Sequence, residues 1–204
     1  RGCVPVIEEN LSLLLVAVPL VAAPLTALLP AGRLPWLFTT LVSWLTLVLA
    51  SWQLWVVADG SVISYELGGW APPWGIEYRI DALNALVALI VAGIGAITLP
   101  FALHSVAQEI PKRQTPWFYA AFLLCLDGLL GITQTGDIFN LFVWFEVLLI
   151  ASYVLLTLEG NDGQIRSGTT YVVLNVIESF VLVTGVALVF AATGTLNMAE
   201  LLTE

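Results

Sequence analysis

Long apolar runs, separated by short polar or turn-forming clusters, dominate this chain. A helix that crosses a bilayer needs about 20 mostly apolar residues. Six segments meet that requirement: 11–29, 34–57, 82–103, 117–134, 138–158 and 170–192. The first contains Pro19 and Pro24, which membrane helices tolerate better than soluble ones. Trp36, Trp52 and Trp55 lie toward the ends of the second, where indole rings anchor at the membrane–water boundary. The fourth and fifth runs are kept apart by Gln134-Thr135-Gly136-Asp137, a turn-forming cluster with Asp137 as a candidate helix N-cap. Without that break the apolar stretch is far too long for one span.

The connection over 58–81 has a different period. Ile63, Tyr65 and Leu67, then Ile76, Tyr78 and Ile80, alternate with polar residues on either side of Gly68-Gly69 and Pro72-Pro73. Period-two alternation around a Gly/Pro turn predicts a β-hairpin. The pattern therefore predicts an all-α, polytopic membrane helix bundle of about six spans with an extracytoplasmic β-hairpin, forming a single membrane domain over 1–204.

Composition sharpens this picture. The chain is 59% hydrophobic and 10% charged, too few charges to solvate a soluble domain of this length, so lipid must be the solvent for much of its exterior. Only six Lys and Arg are present, and they are scattered, which excludes a nucleic-acid partner. The net charge of -9 comes from acids in short loops and inside spans, not from an acidic tail. Cys3 and Cys125 read as unpaired apolar thiols. No metal constellation, phosphate-binding glycine loop or nucleophile motif occurs, so no cofactor is expected. The chain begins at Arg1 with no evident signal peptide, which reads as a fragment or processed product. Arg33, Lys112, Arg113 and Arg166 fall in alternate connections, opposite Arg79 and Arg1. The positive-inside rule then puts the first set in the cytoplasm and the N-terminus outside.

Three carboxylic acids interrupt the spans: Asp127 in the fourth, Glu146 in the fifth and Glu178 in the sixth. An acid at the bilayer centre costs about 2.5–3.5 kcal/mol even on the lenient insertion scale, so such residues face protein or water. Counting along the helices at about 1.5 Å per residue puts all three near mid-membrane, Glu146 about 12 Å below the start of its helix. Burial favours the neutral acid, and a nearby cation favours the carboxylate. A group poised between these limits can accept a proton from one side and release it to the other. Glu146 is the first candidate for that role, with Asp127 and Glu178 as candidate relays. His104, at the cytoplasmic end of the third span beside Gln108 and Glu109, reads as an interfacial residue. Asn140 and Asn175 are placed on helices to bond across an interface or to bind water.

The run Thr135-Gly-Asp-Ile-Phe-Asn-Leu-Phe-Val-Trp-Phe-Glu-Val-Leu-Leu-Ile-Ala-Ser-Tyr153 closely resembles the corresponding segment of the D-type subunits of Mrp Na⁺/H⁺ antiporters. That family belongs with the antiporter-like membrane subunits of respiratory complex I and membrane-bound hydrogenases. Gly68-Gly-Trp-Ala-Pro-Pro-Trp-Gly75, Ile80-Asp-Ala-Leu-Asn84, Tyr171-Val-Val-Leu-Asn175 and Thr193-Gly-Thr-Leu-Asn-Met198 carry the resemblance further. It implies a fold of about fourteen helices containing two inverted repeats of about five helices each. It also implies that the glutamate of the fifth span, which Glu146 matches, pairs with a lysine on the seventh and gates proton movement. That lysine and the second repeat lie beyond the six spans here, so the expectation is the N-terminal portion of a longer subunit. Asp127 and Glu178 depart from the small or neutral residues expected there, so their relay role rests on depth alone.

The resemblance thus implies a proton-translocating subunit of a multisubunit Na⁺/H⁺ antiporter in the cell membrane. Its partners would be other membrane subunits, the lipid bilayer, protons and Na⁺. The alternative is the proton-pumping arm of an NADH–quinone oxidoreductase or a hydrogenase, an enzyme subunit in which electron transfer elsewhere drives the same intramembrane chemistry.

Overall fold

The computed structural model describes residues 10–158 and 160–202. Expectations placed on Arg1 and Cys3 lie outside those residues. The elements in order are α1 (Leu11–Ala27), α2 (Arg33–Val57), β1 (Ile63–Glu66), β2 (Glu77–Ile80), α3 (Ala82–Glu109), α4 (Thr115–Gln134), α5 (Ile138–Thr157), α6 (Asp162–Thr193) and a single turn, α7 (Met198–Leu201).

Helices α2 to α6 are each long and apolar enough to cross a membrane, giving five such helices among the described residues. The first predicted span is the exception, since α1 has 17 residues and falls below that length. It stops at Ala27 because Leu29 precedes Pro30, whose ring drives the preceding residue out of the helical region. Hydropathy counted Leu28 and Leu29 as span; backbone sterics end the helix first.

Two other helices exceed their apolar runs. Helix α3 continues through His104 to Glu109 and ends at Ile110, which is extended before Pro111. Helix α6 starts at Asp162, eight residues before its apolar stretch, because the Asn161 side chain caps it by accepting from the Gln164 N–H at 2.9 Å. Gly194, at φ 75°, closes it in the left-handed region that glycine enters without strain.

Helix α4 is the centre of the bundle. It packs against α1, α3 and α5, and over half of its most apolar stretch is buried. Its apolar neighbours form clusters along its length, with Leu126 and Leu130 against Leu15, Ala50, Ala88 and Ala92. Helix α6 is the opposite case. It packs principally on α5 and leaves nearly all of its surface open.

The hairpin forms as predicted, antiparallel, with Ile63 opposite Ile80 and Tyr65 opposite Tyr78. Tyr78 and Ile80 are buried in a cluster with Val16, Val57, Ala85 and Trp144, so β2 caps one end of the bundle. Glu77 breaks the expected alternation by also being buried. Its carboxylate accepts from Ser64 Oγ at 2.5 Å and from Asn197 Nδ2 at 2.7 Å, which offsets its desolvation. Gly136 N–H donates to the Glu77 carbonyl at 2.8 Å, and Met198 N–H donates to the Gly136 carbonyl at 2.8 Å. The α4–α5 turn is thus clamped between the hairpin and the loop leading to α7.

Candidate functional site

The site is built on α4 and α5. Thr135 leaves the helical region and Asp137 restarts it, its side chain accepting from the Asn140 N–H at 2.7 Å. Burial raises the Asp137 carboxyl above its ordinary value, and the backbone donors of Asn140 and Phe139 pull it back down. Two glycines on α4 then let α5 approach closely. A Cβ on Gly131 would sit 2.1 Å from the Trp144 ring, and one on Gly128 would sit 2.8 Å from the Leu148 Cβ.

This contact fixes the rotation of α5. Trp144 faces α4, and Glu146, two residues on and so about 200° around the helix, faces α6. Glu146 is half-buried in the α5–α6 seam and accepts a short hydrogen bond from Ser179 Oγ. Around it the seam is lined with polar groups. Tyr153 and Tyr171 meet edge to face with centroids 5.4 Å apart. Tyr171 OH lies 3.4 Å from Ser152 Oγ, and Asn175 Nδ2 donates to the Tyr171 carbonyl at 2.9 Å.

Asp127 lies on the other side of α5. It is fully buried, and neither carboxyl oxygen has a hydrogen-bond partner among the described residues. Trp144 Nε1 likewise makes no hydrogen bond of normal length. The Tyr78 hydroxyl approaches this region from the hairpin. Its pKa is raised chiefly by burial; Asn140 and Trp144 oppose that shift, and the Asp127 charge adds a smaller upward push.

Glu178 stands exposed on α6, beside Ser179 but outside the α5 contact. Both Glu146 and Glu178 are within electrostatic reach of Tyr153. The structure therefore divides the three acids: Glu146 and Glu178 share the α5–α6 side, and Asp127 stands alone in the α4 core. His104 is far along α3, at the end opposite the hairpin. Among the described residues, no group of three or more His, Cys, Asp or Glu is placed to hold a metal ion.

One polar feature went unread in the sequence. Gln53 Nε2 donates to Gln134 Oε1 at 2.7 Å, and Gln134 Nε2 returns a bond to Gln53 Oε1 at 3.3 Å. Ser12 Oγ accepts from the same Gln53 amide at 3.4 Å, and all three residues are fully buried. A lone glutamine inside an apolar run was the available signal, and Gln53 carries it.

A bundle of membrane-length helices with an acid held between two of them defines a polytopic membrane protein as the class. Residues 135–204 match the family described as NADH:quinone oxidoreductase/Mrp antiporter, TM. Those residues belong to this family, and the similarity to its relatives continues through most of the chain. Over 145 residues, 71% of the chain, it is 40% identical to the D subunit of a Na(+)/H(+) antiporter from Alkalihalophilus pseudofirmus, covering 29% of that protein. It is 35% identical to the D subunit of the Na(+)/H(+) antiporter from Bacillus subtilis over 95% of its own length and 39% of the relative's. The chain thus spans well under half of the curated relatives it matches.

Solved structures agree. A chain of the Mrp complex from Dietzia sp. superposes with a TM-score of 0.83 at 31% identity, covering 97% of this chain and 37% of that one. A chain of the archaeal membrane-bound sulfane sulfur reductase superposes with a TM-score of 0.86 at 35% identity, covering 94% and 39%.

Proposed function

We propose that this chain is the N-terminal, proton-handling part of a longer D-type subunit of a multisubunit Na⁺/H⁺ antiporter in the cell membrane. The observation that carries the reading is the position of Glu146. Its carboxyl is sheltered in a helix seam at membrane depth, with one hydroxyl donor from Ser179 and no cation beside it among the described residues. A carboxyl so placed can exchange a proton with a cation that moves toward and away from it. The resemblance supplies that cation as a lysine on a later helix. Movement of the lysine toward and away from Glu146 then gates uptake and release, and exchange for Na⁺ follows when the two ions share the path.

Asp127 and Glu178 act as secondary stations in this scheme, Asp127 toward the hairpin end and Glu178 toward the open side of α6. The distribution of Arg33, Lys112, Arg113 and Arg166 against Arg79 supports an outer hairpin and an outer N-terminus.

The test is Glu146→Gln in the full-length protein within its assembled complex, with cation-driven proton flux followed in everted vesicles by a pH-sensitive dye. Flux should fall by at least about tenfold, with normal assembly, because an amide holds no exchangeable carboxyl proton. Normal flux through correctly assembled Glu146→Gln refutes the role.

A second reading has its own support. The chain is 39% identical over 137 residues, 67% of its length, to the N subunit of an NADH-quinone oxidoreductase from Desulforudis audaxviator, covering 27% of that protein. In that setting the same acids would serve a redox-driven pump. Copurification with iron–sulfur proteins, in place of small cation-transport subunits, would select it.

A further inference from the structure

At the end of the bundle opposite the hairpin, a cavity of about 400 Å³ opens between the starts of α2 and α4 and the end of α3. Three cationic or ionisable basic side chains line it, Arg33, His104 and Lys112, with Thr115 beside them. No acid lines it, and among the described residues the one ion pair in the chain joins Arg79 to Glu77, far from this cavity. The chain has only six Lys and Arg and a single His, so gathering three of these groups around one opening is a concentration of charge.

The rest of the lining is apolar, with Leu103 and the buried Tyr119 forming its inner wall. That wall is rigid. Tyr119 packs against Leu99 and Val106, and Trp36 Nε1 ties α2 to α3 by donating to the Leu99 carbonyl at 2.9 Å. The first turn of α2 carries no side-chain cap, so its N–H groups add to the positive field.

From this geometry we infer that the cavity binds the phosphate diester of an anionic phospholipid. Arg33 and Lys112 grip the phosphate, His104 donates a further hydrogen bond, and the acyl chains run along the apolar wall. A mixed basic and apolar cleft between helix ends at the membrane surface suits a lipid better than a free anion, which gains nothing from the apolar part. The site lies at the end opposite the hairpin and does not depend on the transport reading.

The test uses the full-length protein in nanodiscs of neutral phosphatidylcholine doped with phosphatidylglycerol, with bound lipid read by native mass spectrometry. The protein should retain phosphatidylglycerol preferentially. Arg33→Gln with Lys112→Gln should weaken retention by about 25-fold, at about fivefold for each surface charge removed. The charge-preserving pair Arg33→Lys with Lys112→Arg should keep it, and so should Arg166→Gln, a basic residue away from the cavity. Retention unchanged in the double Gln variant overturns the site. So does an equal loss in Arg166→Gln, which would mean nonspecific surface charge, or full displacement by excess inorganic phosphate, which would mean a free-anion site.

Discussion

Glu146 is held by its neighbours on α5 and α6, and each neighbour contributes a separable effect. Ser179 gives the carboxyl its hydrogen bond, and Tyr153 and Tyr171 pack together further along the same seam. A quite different residue-scale device secures the hairpin end. The reciprocal amide pair of Gln53 and Gln134 joins two helices 81 positions apart in sequence. Such a pair is expensive to half-remove. Gln53→Leu alone should cost about 1–3 kcal/mol, because it leaves the buried Gln134 Oε1 without its Gln53 donor. Gln53→Leu with Gln134→Leu should cost clearly less than the sum of the two single changes, since no orphaned amide remains. Denaturation of the four proteins in detergent provides the cycle; additive losses would remove the pair from the account. Glu146 was legible in the sequence because an acid in a long apolar run has few neutral explanations. Gln134 was not, because it sits in a turn-forming cluster where a polar residue needs no further reason. Its partner could be recognised only once α2 and α4 were side by side.

At the level of elements, the α4–α5 interface sets where the acids point. Gly131 accepts the Trp144 ring at a distance no side chain allows, and this locks Trp144 inward and Glu146 outward toward α6. Gly131→Ala should therefore push the helices apart or rotate α5, destabilising the bundle by about 1–3 kcal/mol as overpacking does. It should also lower proton flux, though it touches no acid. A lowered melting temperature with reduced flux is the expected pair of readings; wild-type values for both would mean that α5 is positioned by something else. Hydropathy located the helices well but misjudged where polar turns extend them. Helix α3 runs on to Glu109, and α6 begins at Asp162, because capping and proline geometry, not apolarity, decide helix ends. The hairpin was legible in its period, down to the facing Tyr65 and Tyr78. The buried Glu77 within it was not, since its partner Asn197 lies 120 residues away.

The whole molecule is asymmetric. One side is a packed core around α4; the other is α6, with Phe180, Val181 and Leu188 exposed together and Glu178 exposed on the same helix. A carboxyl on a face at membrane depth is costly in lipid, by about 2.5–3.5 kcal/mol. The chain also spans only 29% and 39% of the two antiporter relatives named above. Both observations favour protein as the cover of this face in the complete assembly. A fluorescent reporter at Val181 in the assembled complex should then be poorly quenched by brominated lipids, and one at Ile94, exposed on α3, strongly quenched. Equal quenching at the two positions would place α6 against lipid. The sequence carried no sign of this asymmetry, because α3 and α6 are similarly apolar and only packing distinguishes them.

The central claim is that Glu146 gains and loses a proton inside the membrane. Infrared difference spectroscopy of the assembled complex across a pH titration measures this directly. The account predicts a protonated-carboxyl stretching band that changes with pH and disappears in Glu146→Gln. A band that persists unchanged in Glu146→Gln, or the absence of any pH-dependent carboxyl signal in the wild-type complex, would contradict it.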